Sequence, residues 1–265
     1  QGSIKRLFSG LGDIYSQYYT KEEFESLKEQ TSGSFVGIGV YISPTSDDDY
    51  ITIIAPIEGS PAEKGGIKAG DKIIKVDDQN VYANDSDKAI SMIKGKAGTE
   101  VKLTLKRGEE ELDLKIKREE IISKSVDSKV LEDGIGYIKI TSFNENTYKE
   151  FTEALSNLKK QNIKGLALDL RNNPGGLLDI CSEIADDLIG EGTIVYTKDN
   201  KGDKEYIKSD SNKLGLPIAV LVNEGSASAS EILTAAIVDN NEGIAIGTTT
   251  FGKGLVQSVR ELKDG

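Results

Sequence analysis

Two stretches of this sequence hold side chains able to form and break an acyl bond. "NEGSASASEI" (223–232) sets three serines at alternate positions between alanines, and "TTTFGKGLVQSVR" (248–260) sets a lysine between two glycines. A serine nucleophile needs a base. The chain has no histidine, which excludes a Ser-His-Asp triad and any His-ligated metal. Lys, Glu and Asp remain. A lysine in apolar surroundings can lose its proton near neutral pH, because desolvation disfavours the ammonium form. Most lysines here sit among charged or polar residues, whereas Lys253 has Phe251 before it and Leu255 and Val256 after it. Its glycines are expected to let the backbone pass close to another element, and Gln257 can orient the amine. The plain alternative is a turn lysine in water.

The serines also have a plain reading, as helix caps and small packing residues. Ser226 can cap a helix, but Glu231 lies too far along to complete a capping box with it. Ser228 and Glu231 do have that spacing. A helix N-terminus also stabilises developing negative charge, so Ser228 suits both readings. A second loop, "LDLRNNPGGLL" (168–178), repeats the order strand, glycine, helix. Pro174 restricts Asn173 to an extended backbone, and Gly175 and Gly176 allow geometry closed to other residues. Such a turn points free N–H groups at an anion, either a phosphate or an oxyanion. No Gly-Lys-Ser/Thr follows, so a Walker-type phosphate loop is not expected.

The elements that must hold these loops follow from periodicity. Residues 1–32 read as polar helices, with Thr20 and Glu23 as a capping box. From "GSFVGIGVYI" the chain becomes β-rich: "YITIIAPI", "KIIKVD" and a hairpin over 100–118, with a helix over 86–95 capped by Ser86 or Asp85. From about residue 120, strands and helices alternate. "GYIKITSF", "GLALDL", "PIAVLV" and "GIAIGT" read as strands, and "TIVYT" with "EYIK" as a strand pair. Helices carry Phe151, Leu155 and Leu158 on one face, then Cys181, Ile184, Ala185 and Leu188 on another. This implies an α/β fold with its sites at strand ends.

Composition narrows the partners. The 265 residues are 37% hydrophobic and 29% charged, ordinary for a soluble globular chain of one large or two modest domains. A net charge of -11 argues against nucleic acid or an anionic membrane surface. No apolar run reaches the roughly 18 residues of a membrane span. A single cysteine, Cys181, excludes an internal disulfide and reads as core. Asp47, Asp48 and Asp49 read as a solvated loop rather than a calcium site, and Asp169 with Arg171 as a structural ion pair.

"LDLRNNPGG", "NEGSASASEI" and "FGKGLVQ", in this order, resemble the carboxy-terminal processing (tail-specific) serine proteases. "FVGIGVYI" followed by "SPAEKGGIKAGDKIIKVD" resembles the PDZ domain these proteases carry, and "GYIKITSFNENT" the opening of their catalytic domain. The resemblance implies a crotonase-like ββα protease core with an inserted PDZ domain. The expected division is a helical segment at 1–32, the PDZ domain at 33–118 and the core at 119–265. It also implies a Ser-Lys dyad: Ser228 as nucleophile, Lys253 as general base and Gln257 as the partner that orients the lysine. The oxyanion hole is implied to use the Ala229 N–H and one from Gly175 or Gly176. No metal or organic cofactor is implied.

Substrates are expected to be proteins or peptides with free C-termini, captured by the PDZ loop Val36, Gly37, Ile38 and Gly39. Val36 and Ile38 are expected to line the pocket for the last side chain. The implied location is extracytoplasmic, in a bacterial envelope, with a membrane tether through a preceding segment and self-association left open. The family continues past the lysine motif, so the resemblance implies that the core extends beyond "ELKDG". The alternative is a peptide-binding PDZ scaffold with an inactive or incomplete core.

Overall fold

The computed structural model describes residues 2–13, 15–43 and 49–260, so Asp47 and Asp48 lie outside the described residues. Two helices open the chain, α1 (Gly2–Ser9) and α2 (Lys21–Ser32). The capping box read from the sequence starts α2. The Thr20 hydroxyl accepts from the Glu23 N–H, and the Glu23 carboxylate accepts from the Thr20 N–H at 2.8 Å. The helix stops at Gly33, whose φ of 67° is left-handed.

Residues 34–123 form one compact unit. Its elements are β1 (Ser34–Gly37), β2 (Val40–Ser43), β3 (Ile51–Pro56), α3 (Pro61–Lys64), β4 (Lys72–Val76), β5 (Gln79–Asn80), α4 (Ser86–Ile93), β6 (Glu100–Arg107), β7 (Glu110–Lys117) and β8 (Glu119–Ile122). The main sheet runs β2-β3-β4-β6-β7, with β5 on β4. Alternate residues of its strands, such as Ile51 and Ile53 or Val101, Leu103 and Leu105, point into one core, as half-buried strands require. α4 packs Ala89 and Ile93 into the same core, and Asp85 takes its N-cap position. The unit extends past the expected boundary at 118, because β8 pairs antiparallel with β1.

The second unit joins the N-terminal helices to everything from residue 124 on. It contains β9 (Val126–Val130), β10 (Ile135–Ile140), α5 (Thr147–Lys160), β11 (Gly165–Asp169), α6 (Leu178–Leu188), β12 (Gly192–Lys198), β13 (Lys204–Ser209), β14 (Ile218–Val222), α7 (Ala229–Asp239) and β15 (Gly243–Gly247). The expected helical segment is therefore not a separate body. The Glu145 N–H donates to the Thr31 carbonyl at 2.9 Å, and the Asn146 amide to Ser32 at 2.8 Å.

The five-stranded sheet has the order β15-β14-β11-β10-β9, parallel except for β9. Its core holds Ile138, Leu168 and Val220 from the strands, and Phe151, Ile184, Leu188, Leu233 and Ile237 from α5, α6 and α7. Fully burying side chains of this size contributes about 1.5–3 kcal/mol each. Asp169 pairs with Leu221 across β11 and β14, and Val222 with Gly247 across β14 and β15. Three adjacent parallel strands therefore end together. The loops leaving their carboxyl ends are the Pro-Gly-Gly, serine-rich and lysine loops singled out in the sequence.

Candidate active site

Asn173, fully buried, joins the first loop to the second. Its side chain donates to the Ile140 carbonyl at 3.0 Å and accepts the Gly175 N–H at 2.8 Å. Its carbonyl accepts the Ala227 N–H at 3.0 Å and the Ser230 hydroxyl at 2.9 Å. Gly175 has φ 102°. A Cβ there would lie 2.7 Å from the Ala227 carbonyl oxygen and 2.9 Å from both the Ala229 nitrogen and Ser228 Cβ. At Gly176, φ 145°, a Cβ would collide with the Phe143 backbone. Both positions therefore exclude side chains, and the space beside Ser228 stays open. Among the described residues, neither the Gly176 nor the Ala229 N–H donates to a protein acceptor.

The three serines have different surroundings. Ser226 is 0% exposed; its hydroxyl donates to the Leu170 carbonyl at 2.8 Å and accepts the Asn223 N–H at 3.0 Å. Ser230 is also 0% exposed and is bonded to Asn173. Both hydroxyls hold loops together. Ser228 is half-buried at the N-cap of α7, with φ 55° and ψ -116°. Few non-glycine residues adopt such a backbone, and strain of this kind costs about 1–3 kcal/mol and clusters at functional sites.

Glu231 ties the second loop to the third, a role beyond the capping box that its spacing suggested. One carboxylate oxygen, Oε2, accepts the Ser228 N–H at 2.8 Å and the Lys253 N–H at 2.9 Å. The other accepts the Gly252 N–H at 2.7 Å and the Thr250 hydroxyl at 2.8 Å. Burial works to raise the Glu231 pKa, but hydrogen bonds from Thr250, Gly252, Lys253 and Ser228 outweigh it, and the carboxyl stays below its ordinary range.

Lys253 is half-buried, and its amine donates to Gln257 Oε1 at 2.6 Å. Two expectations about its surroundings need correction. Phe251, Leu255 and Val256 are 63%, 52% and 57% exposed, so they do not form an apolar wall around the amine. A Cβ at Gly252 or Gly254 would meet nothing within 4 Å, so neither glycine serves a close approach. Gly252 instead supplies a left-handed turn, with φ 86°. Among the described residues, no hydrogen bond joins the Lys253 amine to the Ser228 hydroxyl. Such bonds are often long before substrate closes a site.

Asp169 and Arg171 form the ion pair read from the sequence, at 2.6 Å, with the Tyr137 hydroxyl donating to Asp169 at 2.7 Å. Burial pushes the Asp169 pKa up, but Arg171 and Tyr137 overcome it and hold the carboxyl at about 2. Cys181 is buried in α6, and burial pushes its thiol up to about 12. Among the described residues, no cluster of three or more Cys, Asp and Glu could hold a metal ion.

In the 34–123 unit, Val36 and Gly37 lie in β1, opposite Glu120 and Glu119. Ile38, expected to line a pocket, is 1% exposed within the core. The Ile38 and Gly39 carbonyls accept the Ala62 and Ile57 N–H groups. Their own N–H groups have no acceptor among the described residues. β2, just beyond Gly39, is an edge strand of its sheet.

Comparison with known proteins agrees with this layout. A family model described as Peptidase family S41 matches residues 134–265, and a PDZ domain model matches 36–117. The chain is 44% identical over its whole length to the carboxy-terminal processing protease CtpA of Bacillus subtilis (strain 168), covering 57% of that relative. It is 42% identical to a probable CtpA-like serine protease of Staphylococcus haemolyticus (strain JCSC1435), covering all of this chain and 54% of that relative. The chain thus spans just over half the length of these curated relatives. Among solved structures it resembles a photosystem II D1 C-terminal processing protease, with TM-score 0.58 and 31% identity over 100% of this chain and 73% of that one.

Proposed function

Because this chain belongs to peptidase family S41 and carries a PDZ domain, we propose that it is the recognition and catalytic part of a serine endopeptidase that cuts proteins near their C-termini. Ser228 is the nucleophile and Lys253 the general base. The observation that carries this reading is the shared Glu231 oxygen, which brings the Ser228 and Lys253 backbones within two hydrogen-bond lengths of each other. The unprotonated Lys253 amine takes the Ser228 hydroxyl proton as Oγ bonds to the substrate carbonyl carbon. The carbonyl electrons move onto oxygen. That oxyanion is held by the Ala229 and Gly176 N–H groups, since the Gly175 N–H is already committed to Asn173. The C–N bond then breaks as Lys253 returns the proton to the leaving amine. Water next attacks the acyl-Ser228 ester, giving a proton to Lys253; the C–Oγ bond then breaks, Oγ takes that proton back from Lys253, and the carboxylic acid product leaves.

The PDZ unit is proposed to hold the substrate tail, with its terminal carboxylate at the Ile38 and Gly39 N–H groups and its strand added to the β2 edge. An extracytoplasmic location is proposed from the family resemblance of the sequence motifs. The test uses the full-length protein. Ser228→Ala and Lys253→Arg should each abolish peptidase activity, and one peptide with a free or an amidated C-terminus should be cut at different rates. A second reading, a PDZ scaffold with an idle core, is favoured by the missing bond between Lys253 and Ser228. A fluorophosphonate probe decides between them, since labelling at Ser228 requires an activated serine.

A further inference from the structure

We propose that Tyr15 is a positioning residue of the dyad, acting on Lys253 and Gln257 from the N-terminal segment. This rests on the dyad reading above and deepens it. A carboxamide has a donor end and an acceptor end, and only its oxygen can receive a bond from the lysine amine. Gln257 Oε1 faces Lys253 at 2.6 Å, while Nε2 donates to the Tyr15 carbonyl at 2.7 Å. The Tyr15 carbonyl therefore sets which way Gln257 points. Without it, the amide can turn over and present its NH2 group to the amine. The same residue acts a second time through its side chain, because the Lys253 nitrogen lies over the Tyr15 ring, 5.5 Å from its centre. One face of the amine is thereby covered by an aromatic ring, where Phe251, Leu255 and Val256 leave it uncovered. Tyr15 is itself half-buried, as a fixed support requires.

The experiment compares Tyr15→Leu, Tyr15→Phe, Gln257→Ala and the Tyr15→Leu/Gln257→Ala double variant in the full-length protein, with Ser228→Ala alongside. Tyr15→Leu should lower kcat about tenfold or more at unchanged KM, as a misplaced catalytic group does. Tyr15→Phe, which keeps the ring, should recover most of that loss. Tyr15→Leu leaves the backbone carbonyl in place and removes only the ring, which contacts Lys253 and not Gln257, so the double variant should be slower than Gln257→Ala alone. Thermal unfolding of each variant separates this from a fold defect, and Tyr15→Met replaces the leucine variant if that one unfolds. Parent or raised kcat in Tyr15→Leu, or a double variant no slower than Gln257→Ala alone, would overturn the role of Tyr15 alone, provided Ser228→Ala is dead. Cleavage by Ser228→Ala overturns the dyad reading and the role of Tyr15 together.

Discussion

Replacing Glu231 with Gln tests the clamp that joins the proposed nucleophile, Ser228, to the proposed base, Lys253. The substitution keeps the shape and removes the charge. Four donors converge on the two carboxylate oxygens, and a carboxamide can serve only the two at its oxygen end. At its NH2 end, a backbone N–H meets a second donor, and only the Thr250 hydroxyl can turn to accept. Hydrogen bonds to a charged group are each worth about 1.5–3 kcal/mol, so two lost bonds set an upper bound of about 6 kcal/mol, and relaxation of the lysine loop reduces the expected loss to roughly 2–4 kcal/mol. If the NH2 end faces Oε2's partners, Ser228 and Lys253 separate. If it faces the other pair, the Thr250 hydroxyl can turn to accept, but the Gly252 N–H is released and the lysine loop loosens. Either way, the base drifts by an ångström or so, and kcat should fall about 100-fold. The assay is steady-state peptide cleavage by the full-length protein beside its denaturant unfolding curve. A Glu231→Gln protein within about threefold of the parent kcat would refute the clamp, whatever its stability.

Ser228→Gly should abolish cleavage yet raise stability by about 1 kcal/mol, since glycine relieves the strained backbone; an unchanged or lower unfolding midpoint would contradict the strain. Gly175→Ala should both destabilise the protein and remove activity, because its Cβ would lie 2.9 Å from the Ala229 nitrogen at φ 102°; full turnover would show that this space is not used. Asp169 has a pKa lowered in the folded state, so its stabilisation is complete above the ordinary value of 3.8 and is lost as pH falls through about 2. Acid unfolding of Asp169→Asn should accordingly lack the part of the pH dependence seen in the parent over that window, and identical acid curves would contradict the ion pair's role.

Much of the candidate site's loop framework was legible because its loops are short and rich in glycine and serine, and each follows an apolar strand. The capping-box spacing of Ser228 and Glu231 was visible, but it concealed a second job. Glu231 reaches Lys253, which lies 22 residues on and approaches only after β15 has docked on β14. Ser226 and Ser230 could not be separated from Ser228 by type. What distinguishes them is which hydroxyl meets a buried carbonyl, and that depends on Leu170 and Asn173 in another loop. The apolar residues around Lys253 misled for a related reason: adjacency in sequence does not turn a side chain toward the amine. Tyr15 gave no signal, because its contact with Gln257 spans 242 residues and follows no periodicity. β8 and β9 were missed as well. "EEII" and "VDSKV" do not alternate clearly, and each exists through pairing with a partner strand, β1 or β10.

If the proposed dyad operates, the order in which the three loops join the sheet bears on the safety of the chain during its own synthesis. Ser228 follows β14, but Lys253 arrives only with β15, the outer strand of the sheet among the described residues. Parallel pairing between strands far apart in sequence is slow, since each closure restricts a long loop before any contact rewards it. Under the proposed dyad, a chain folded only as far as β14 carries Ser228 without the lysine that would activate it. On that proposal, unfinished copies would be unable to digest one another, and loosening the outer strand later would silence Ser228 again.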